Sequence, residues 1–386
     1  MQIDAQRRET VAQVFEQRFG LKPELWARAP GRVDLMGSHT DYNLGHVLTL
    51  PISRDTWIAA RANGSRNVRL YSLNLEEEDC FSLDPQDKSR SKHWSNYIRG
   101  VAAVLESEEL SVNGLDAVIH STVPIESGLA SSAALECAAA VVFQMLGGWR
   151  LAPDEMARLC QRAENQFVGV QCGILDQYSS CLGQEECALL LDCRDLSTRP
   201  APIAHGIQVM ICDTRAPRQL ATAEYALRRS QCEDGAARLG VRALGEAGIA
   251  DWNAGAEGLP PEVRKRCLFI LSENQRVLDL EAALGRGNRG SIRRLLTESF
   301  EGARDLFEIC SAPMISMMQA MSGAPGVIGS RQAGAGFGGC MVALVEQNQA
   351  EEFRAAVTAQ YRDATGTNPE VYPVEAAPGA GPLPEA

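Results

Sequence analysis

The strongest constraint on this chain is a polar loop that follows one strand-like segment and precedes another. Residues 31–43 read GRVDLMGSHTDYN; they begin within the apolar run at 26–36 and end before the apolar run at 46–52. Turn chemistry accounts for Asp41 and Asn43 but leaves Arg32 and His39 unexplained. A carboxylate can accept hydrogen bonds from two hydroxyl groups. We therefore predict that this polar loop (residues 31–43) binds a polyhydroxylated ligand.

A second segment, the serine loop (residues 124–133, PIESGLASSA), predicts an anion site at the start of a helix. Gly and Ser precede an Ala-rich run with helical periodicity, so the first backbone N–H groups of that helix can bind a ligand. Ser131 or Ser132 can also offer a hydroxyl oxygen to Mg²⁺. Ordinary N-capping by serine is the alternative. The sequence does not fit a Walker A loop, since no Gly-Lys-Ser/Thr follows the glycine.

A third segment, the glycine segment (residues 334–339, GAGFGG), formally matches the dinucleotide-binding pattern GxGxxG. That fingerprint follows a strand and opens a helix, whereas here the run at 340–345 that follows reads as a strand. A Rossmann interpretation therefore fails. We expect the glycines to let the backbone approach a ligand or another loop closely.

Two carboxylates lie between the second and third segments. Glu164 is late in a predicted helix, and Asp176 has apolar neighbours. An aspartate in apolar surroundings is costly unless it is paired or has a function. A buried aspartate that only caps a turn would show the same sequence pattern as a catalytic one. The residues alone leave both interpretations open.

Composition excludes several classes of function. A net charge of −12 argues against a nucleic-acid binder, because phosphate contacts need clustered Lys and Arg. No apolar run reaches the length of a membrane span, and the N-terminus lacks a signal pattern, so we expect no membrane association. The 12 cysteines show no zinc spacing, and we expect free thiols in a reduced, cytoplasmic protein.

The order of predicted elements indicates an α+β fold with two domains. Strand runs and helix runs mix without regular βαβ alternation, and 386 residues exceed one average domain. The Pro- and Arg-rich stretch at 197–203 gives domains at 1–200 and 201–375. The runs 46–52 and 56–60 are expected to be separate strands, with a turn at Arg54 and Asp55. The tail 376–386 is expected to be disordered.

Together and in this order, these segments resemble the GHMP kinase family, and within it the branch that phosphorylates galactose. In that branch the polar loop usually reads GRVNLIGEHTDYN. The serine loop resembles the family's nucleotide-phosphate loop, PxxxGLxSSA, and the glycine segment resembles its C-terminal glycine motif. Smaller matches lie at residues 94–100, 163–168, 172–177 and 224–233.

The resemblance implies an N-terminal domain like ribosomal protein S5, a C-terminal α+β domain and an active site in the cleft between them. It implies transfer of the γ-phosphate of ATP to the C1 hydroxyl of D-galactose, with Mg²⁺, by a monomer or a weak homodimer. Asp176 would be the catalytic base, and Arg32 would stabilise charge on the phosphoryl group. The other implied roles are sugar binding by Ser38, His39, Asp41, Gly173 and Tyr225; nucleotide binding by Trp94, Gly128, Leu129, Ser131, Ser132 and Ala133; and metal binding by Ser132 and Glu164.

Three departures from the family pattern bear on the substrate. Ser38 replaces a Glu that in the family lies near C6 of galactose, Asp34 replaces Asn, and Ala335 stands where Gly is usual. A kinase of a C6-variant sugar (D-galacturonate, L-arabinose or L-fucose) is therefore the alternative to galactose. Another GHMP kinase and a sensor without catalysis are further readings. The polar loop argues against the former, and the retained Arg32 and Asp176 argue against the latter.

Overall fold

The computed structural model describes residues 2–84, 87–125, 127–216 and 221–383, which form two β-sheets surrounded by helices. In these ranges the strands are β1 (Leu25–Met36), β2 (His46–Ala62), β3 (Asn67–Ser72), β4 (Glu77–Ser82), β5 (Leu115–Ser121), β6 (Cys187–Asp192), β7 (Ser197–Pro202), β8 (Ile207–Asp213), β9 (Val327–Gln332), β10 (Cys340–Glu346), β11 (Glu370–Val374) and β12 (Gly381–Pro382). The α-helices are α1 (Gln2–Phe19), α2 (Asn96–Ser107), α3 (Ser131–Gly147), α4 (Pro153–Arg162), α5 (Leu175–Leu182), α6 (Ala221–Leu239), α7 (Ile249–Gly255), α8 (Pro261–Arg286), α9 (Arg289–Asp305), α10 (Ala312–Ser322) and α11 (Ala350–Thr365). Among these helices, none combines the length and apolar character needed to cross a bilayer.

The first sheet has the order β12-β1-β2-β5-β3-β4, and β6 and β7 extend it beside the first part of β2. Side chains alternate between its faces, as the period of a strand requires. Ile58 and Ala60 belong to the core that α2 to α5 cover, whereas Ala59 packs with Val11 and Phe15 of α1. The sheet is therefore covered on both faces in this region.

The second sheet is antiparallel with the order β11-β8-β10-β9. Met341 and Ala343 of β10 pack in the core with residues of α10 and α11. Val342 and Leu344 belong to a core shared with α8 and α9, and this core also contains Val33 of β1. The two sheets thus share one hydrophobic core, and the loops at their junction carry the predicted site residues. The predicted two-domain α+β fold is confirmed.

Strand β2 corrects one expectation. It runs unbroken for 17 residues, so the turn expected at Arg54 and Asp55 is wrong. Asp55 is buried, and Arg7 and Arg28 both form ion pairs with its carboxylate. Because two distant arginines neutralise this aspartate, a charged dipeptide fits inside a strand.

The C-terminal tail corrects a second expectation. Ala376 bridges to Ile52, and β12 pairs with Ala27 and Arg28 of β1. Disorder is therefore the wrong prediction for residues 376–383, since backbone hydrogen bonds to a sheet edge replace the missing large apolar side chains. Residues 384–386 lie outside the described ranges. The boundary expected after residue 200 falls inside β7, which pairs with β6 along its whole length.

Candidate active site

Arg32 and Asp176 meet where the two sheets join. Strand β1 is irregular between Pro30 and Arg32, and a Cβ atom at Gly31 would lie 2.7 Å from the carbonyl oxygen of Leu129. The glycine thus lets the serine loop lie against the strand. Arg32 donates from Nη2 and Nε to Asp176 Oδ1 at 2.5 and 2.9 Å, and from Nη1 to the carbonyl oxygen of Gly128 at 2.6 Å. The Asp176 side chain is 26 % exposed, so a ligand can reach it.

The serine loop places the start of α3 near the Arg32–Asp176 pair. Gly128 and Ala130 both have left-handed backbone conformations, with φ of 86° and 60°. Ala130 precedes the first residue of α3, Ser131, and offers no side-chain cap, so the first turn keeps N–H groups for a ligand. Ser131 and Ser132 are half-buried. Leu129 and Ala133 are fully buried, so they can offer only backbone atoms to a ligand.

Asp41 and Gly173 lie against each other beside this pair. A Cβ atom at Gly173 would lie 1.8 Å from Asp41 Oδ2, so the position tolerates no side chain unless Asp41 moves. Burial raises the pKa of Asp41 to about 6, with a further contribution from the nearby carboxylates of Asp176 and Asp34. The polar loop therefore places a second carboxylate close to the Arg32–Asp176 pair.

His39 forms an aromatic wall next to Asp41. Its Nδ1 lies 2.9 Å from the Tyr42 hydroxyl, and its Nε2 lies 2.9 Å from the carbonyl oxygen of Ala335. The rings of Tyr225 and Phe307 lie 5.2 and 4.8 Å away, centroid to centroid. Both ring nitrogens contact the protein, which fixes the orientation of the imidazole.

Ser38 lies in a buried network that faces β9. Its hydroxyl oxygen is 2.8 Å from Arg331 Nη2, 2.9 Å from the carbonyl oxygen of Gly334 and 3.1 Å from Asp34 Oδ2. The Arg331 guanidinium is fully buried and also donates to Glu273 Oε1 at 3.0 Å. A sugar contact by Ser38 stays a prediction, because its hydroxyl is engaged by protein atoms. Sequence analysis missed Arg331, although an arginine before the glycine segment was a usable signal.

The glycine segment packs against the other two loops. Gly334, Gly336, Gly338 and Gly339 all have positive φ, and a Cβ atom at Gly336 would lie 2.7 Å from the carbonyl oxygen of Ile309. A Cβ atom at Gly334 would lie 3.4 Å from the carbonyl oxygen of Gly128. The predicted close approach to another loop is confirmed. It brings the serine loop and the glycine segment together.

Glu164 and Ser132 form a set of oxygen donors that suits Mg²⁺. Glu164 is buried in a π-helical turn (Ala163–Val168), and the Ser132 hydroxyl lies near enough to its carboxylate to favour the ionised form. Burial raises the pKa of Glu164 to about 7, and the Asp176 carboxylate contributes. The described residues contain no cluster of three or more His, Cys, Asp or Glu side chains arranged for a metal. Mg²⁺ in kinases typically takes one or two carboxylates and completes its shell with water and phosphate oxygens, so this donor set fits.

Trp94 lies in a short 3₁₀ helix (His93–Ser95) before α2. Its indole N–H donates to Glu77 Oε2 at 3.1 Å, and its ring packs at the edge of the first-sheet core. Its predicted place near the adenine stays a prediction.

Three family profiles match this chain. Residues 96–184 match the GHMP kinases N terminal domain, and residues 280–363 match the GHMP kinases C terminal domain. Residues 13–62 match the galactokinase galactose-binding signature, which includes the polar loop. Galactokinases of Roseiflexus sp. and Chloroflexus aggregans are 41 % and 42 % identical to the chain, with 95 % and 96 % of both partners covered.

The chain belongs to the galactokinase family of GHMP kinases. The crystal structure of Lactococcus lactis galactokinase complexed with galactose superposes with a TM-score of 0.91 at 30 % identity, covering 96 % of this chain and 98 % of that one. A mevalonate kinase structure gives a TM-score of 0.65 at 16 % identity, which shows the common GHMP kinase fold alone. The galactokinase branch is thus favoured over another GHMP kinase, the hypothesis that the polar loop had argued against.

Proposed function

We propose that this GHMP kinase transfers the γ-phosphate of ATP to the C1 hydroxyl of D-galactose, giving α-D-galactose 1-phosphate and ADP. The observation that carries the proposal is the Arg32–Asp176 pair, which lies between the Asp41 carboxylate and the uncapped start of α3. One side of the pair offers acceptors for sugar hydroxyl groups, and the other offers N–H donors for phosphates. Full-length relatives named galactokinase support the same reaction.

Asp176 acts as the base that takes the proton of the C1 hydroxyl, or orients that hydroxyl for attack. An anomeric hydroxyl is more acidic than an ordinary alcohol, so a carboxylate is basic enough for this role. Arg32 carries a permanent positive charge, which stabilises the negative charge on the phosphoryl group during its transfer. Mg²⁺, held by Ser132 and Glu164, would supply neutralisation of phosphate charge. Phosphoryl transfer needs alignment and charge balance more than covalent help from the protein.

The sugar is held by Asp41, His39, Tyr225 and Gly173, and the nucleotide by the serine loop with Trp94 near the adenine. Asp41 accepts hydrogen bonds from neighbouring sugar hydroxyl groups. Gly173 leaves space beside Asp41, since a side chain there would collide with the carboxylate. The protein is further proposed to be cytoplasmic, a monomer or weak homodimer, and without a nucleic-acid or membrane partner. Its 12 cysteines are all free thiols in the structure, as a reducing compartment requires.

The proposal is tested by measuring ADP release with Mg·ATP across a panel of D-galactose, D-galacturonate, L-arabinose, L-fucose and N-acetylgalactosamine. We expect D-galactose to give the highest kcat/KM. If D-galacturonate or L-arabinose exceeds galactose by about tenfold, a difference of about 1.4 kcal/mol in transition-state binding, the C6 variant is the substrate instead. Absence of ADP release with every sugar would contradict the kinase proposal.

The acid limb of the pH profile should report Asp41. The carboxylate must be ionised to accept from sugar hydroxyl groups, and its pKa is raised to about 6. One unit below the pKa only about a tenth of the molecules are ionised, so the KM for galactose should be about tenfold higher at pH about 5 than at pH about 8. Steady-state kinetics at saturating ATP check this. Asp41→Asn should have a high KM that no longer varies with pH, and a KM that is flat for the unmodified enzyme would refute the assignment.

The C6-variant alternative rests on Ser38, and an exchange of two residues tests it. Ser38 and Asp34 touch at 3.1 Å, so Ser38→Glu alone sets two carboxylates side by side in a buried place and should lower kcat/KM for galactose by about tenfold or more. The double variant Asp34→Asn with Ser38→Glu keeps two carboxylates beside Arg331, those of Glu273 and position 38, as many as in the unmodified protein. It should recover galactose activity and lose any activity on galacturonate. A double variant no better than Ser38→Glu would exclude this coupling.

A further inference from the structure

A buried network of hydrogen bonds joins Gln177 to Glu136 and to Glu164. The proposed reaction assigns no role to Gln177 or Glu136. The Gln177 carboxamide nitrogen donates to Glu164 Oε2 at 2.6 Å and to Glu136 Oε2 at 3.0 Å. Gln177 and Glu136 are 0 % exposed, and Glu164 is 4 % exposed. The two hydrogens of this amide group are therefore donated to two different carboxyl groups, one of which is the proposed metal ligand.

This network joins the three elements that carry the proposed catalytic groups. Glu136 lies one helical turn after Ser132 on α3. Gln177 follows Asp176 directly on α5, and Glu164 lies in the π-helical turn after α4. A π-helical turn is uncommon and is often found at functional sites. An orientation imposed on Gln177 is thus passed to Glu164 on one side and to the backbone beside Asp176 on the other.

Two buried oxygens of this network have no hydrogen-bond partner. They are Glu136 Oε1 and Gln177 Oε1. An unpaired buried polar atom lowers the stability of the folded protein, so a glutamate among the alanines of α3 needs a compensating interaction. A neutral carboxyl group at Glu136 can donate its O–H to the Gln177 carbonyl, giving a cyclic acid–amide pair that satisfies both oxygens. Burial and the nearby Glu164 carboxyl group raise the pKa of Glu136 well above its usual range, which favours the neutral form.

We propose that Glu136 and Gln177 are positioning residues that hold the Glu164 carboxylate toward the Ser132 hydroxyl for binding a divalent cation. Glu164 Oε2 also accepts from the Cys172 thiol at 3.3 Å, but a thiol is a weaker donor than the Gln177 amide. With the Gln177 amide fixed by Glu136, the carboxylate keeps the orientation that faces Ser132. This inference rests on the metal role of Glu164 in the proposed function.

The test measures binding of Mn²⁺ in the presence of ADP, by the electron paramagnetic resonance signal of free Mn²⁺, so that turnover plays no part. Loss of residues that orient a metal ligand typically costs about 10–100-fold in affinity. Glu136→Leu should therefore weaken Mn²⁺ binding by about tenfold or more. Glu136→Gln, which can form the same cyclic pair with Gln177, should stay within about threefold of the unmodified protein. Gln177→Met should match Glu136→Leu and serves if that variant does not fold.

Val142→Ala is the matched control, because Val142 lies in the hydrophobic core on the same helix. It should lower the melting temperature without changing Mn²⁺ affinity. Folded Glu136→Leu and Gln177→Met proteins that bind Mn²⁺ as tightly as the unmodified protein would overturn the proposal. So would a Glu136→Gln protein as weak as Glu136→Leu. If Glu164→Gln also leaves the affinity unchanged, the metal site of the proposed function fails, and this outcome is distinct from failure of the positioning role alone.

Discussion

Asp176→Asn is expected to lower kcat by about 10²–10⁴-fold, which is the usual contribution of a positioned general base. The asparagine keeps the size of the side chain and an oxygen that can accept from Arg32, so the site should stay assembled. Galactose binding, measured by calorimetry without ATP, should change by less than about threefold. Binding and turnover thus separate in this variant.

Asp154→Asn is the control for that experiment. Asp154 pairs with Arg158 on the surface of α4, with both side chains more than two-fifths exposed, and its loss should leave kcat unchanged. A protein with Asp176→Asn that consumes ATP at the unmodified rate would contradict the catalytic assignment. A protein that binds galactose but shows no turnover even without the substitution would favour the sensor reading.

Arg331→Met is expected to lower the free energy of unfolding by about 3–5 kcal/mol, the usual cost of breaking a buried ion pair by removing one partner. Glu273 is 0 % exposed and Asp34 2 % exposed, so each buried carboxyl group would lose one cation, although Glu273 would keep Arg276. Although burial acts in the opposite direction, Arg331 and Arg276 together hold the pKa of Glu273 below its usual range. Urea unfolding followed by circular dichroism measures the change.

Arg304→Met provides the matched comparison, since Arg304 pairs with Asp305 on the surface and is 43 % exposed. Its removal should change the free energy of unfolding by less than about 1 kcal/mol. Equal effects of the two substitutions would mean that the buried network around Arg331 does not support the junction of the two sheets. Because Ser38 and Gly334 belong to that network, Arg331→Met should also raise the KM for the sugar.

The sequence predicted the loops of the site better than it predicted their surroundings. The polar loop, the serine loop and the glycine segment are local patterns of turn and helix-start residues, and the structure brings all three together. The pairing of Arg32 with Asp176 was available only through the family resemblance, because 144 residues separate the two. Arg331 reaches Ser38 across 293 residues, so its position before the glycine segment could mark it as a candidate but could not identify Ser38 as its partner.

The two errors in the fold have the same origin. Arg54 and Asp55 read as a turn because their neutralising partners, Arg7 and Arg28, lie on other elements. The tail read as disordered because its composition is poor in large apolar residues, whereas its order comes from backbone pairing with β1. Amino-acid composition indicates how much apolar surface the side chains can bury. It does not indicate the backbone hydrogen bonds that a distant strand provides.

The most direct test of the proposed function is to identify the product made from D-galactose and Mg·ATP by ³¹P and ¹H nuclear magnetic resonance. A base at Asp176 aimed at the anomeric hydroxyl predicts a single phosphate monoester whose phosphorus couples to the anomeric proton, with the α configuration. Phosphate on C6 or another ring hydroxyl, or ADP formed without any phosphorylated sugar, would contradict the placement of the sugar between Asp41 and Asp176.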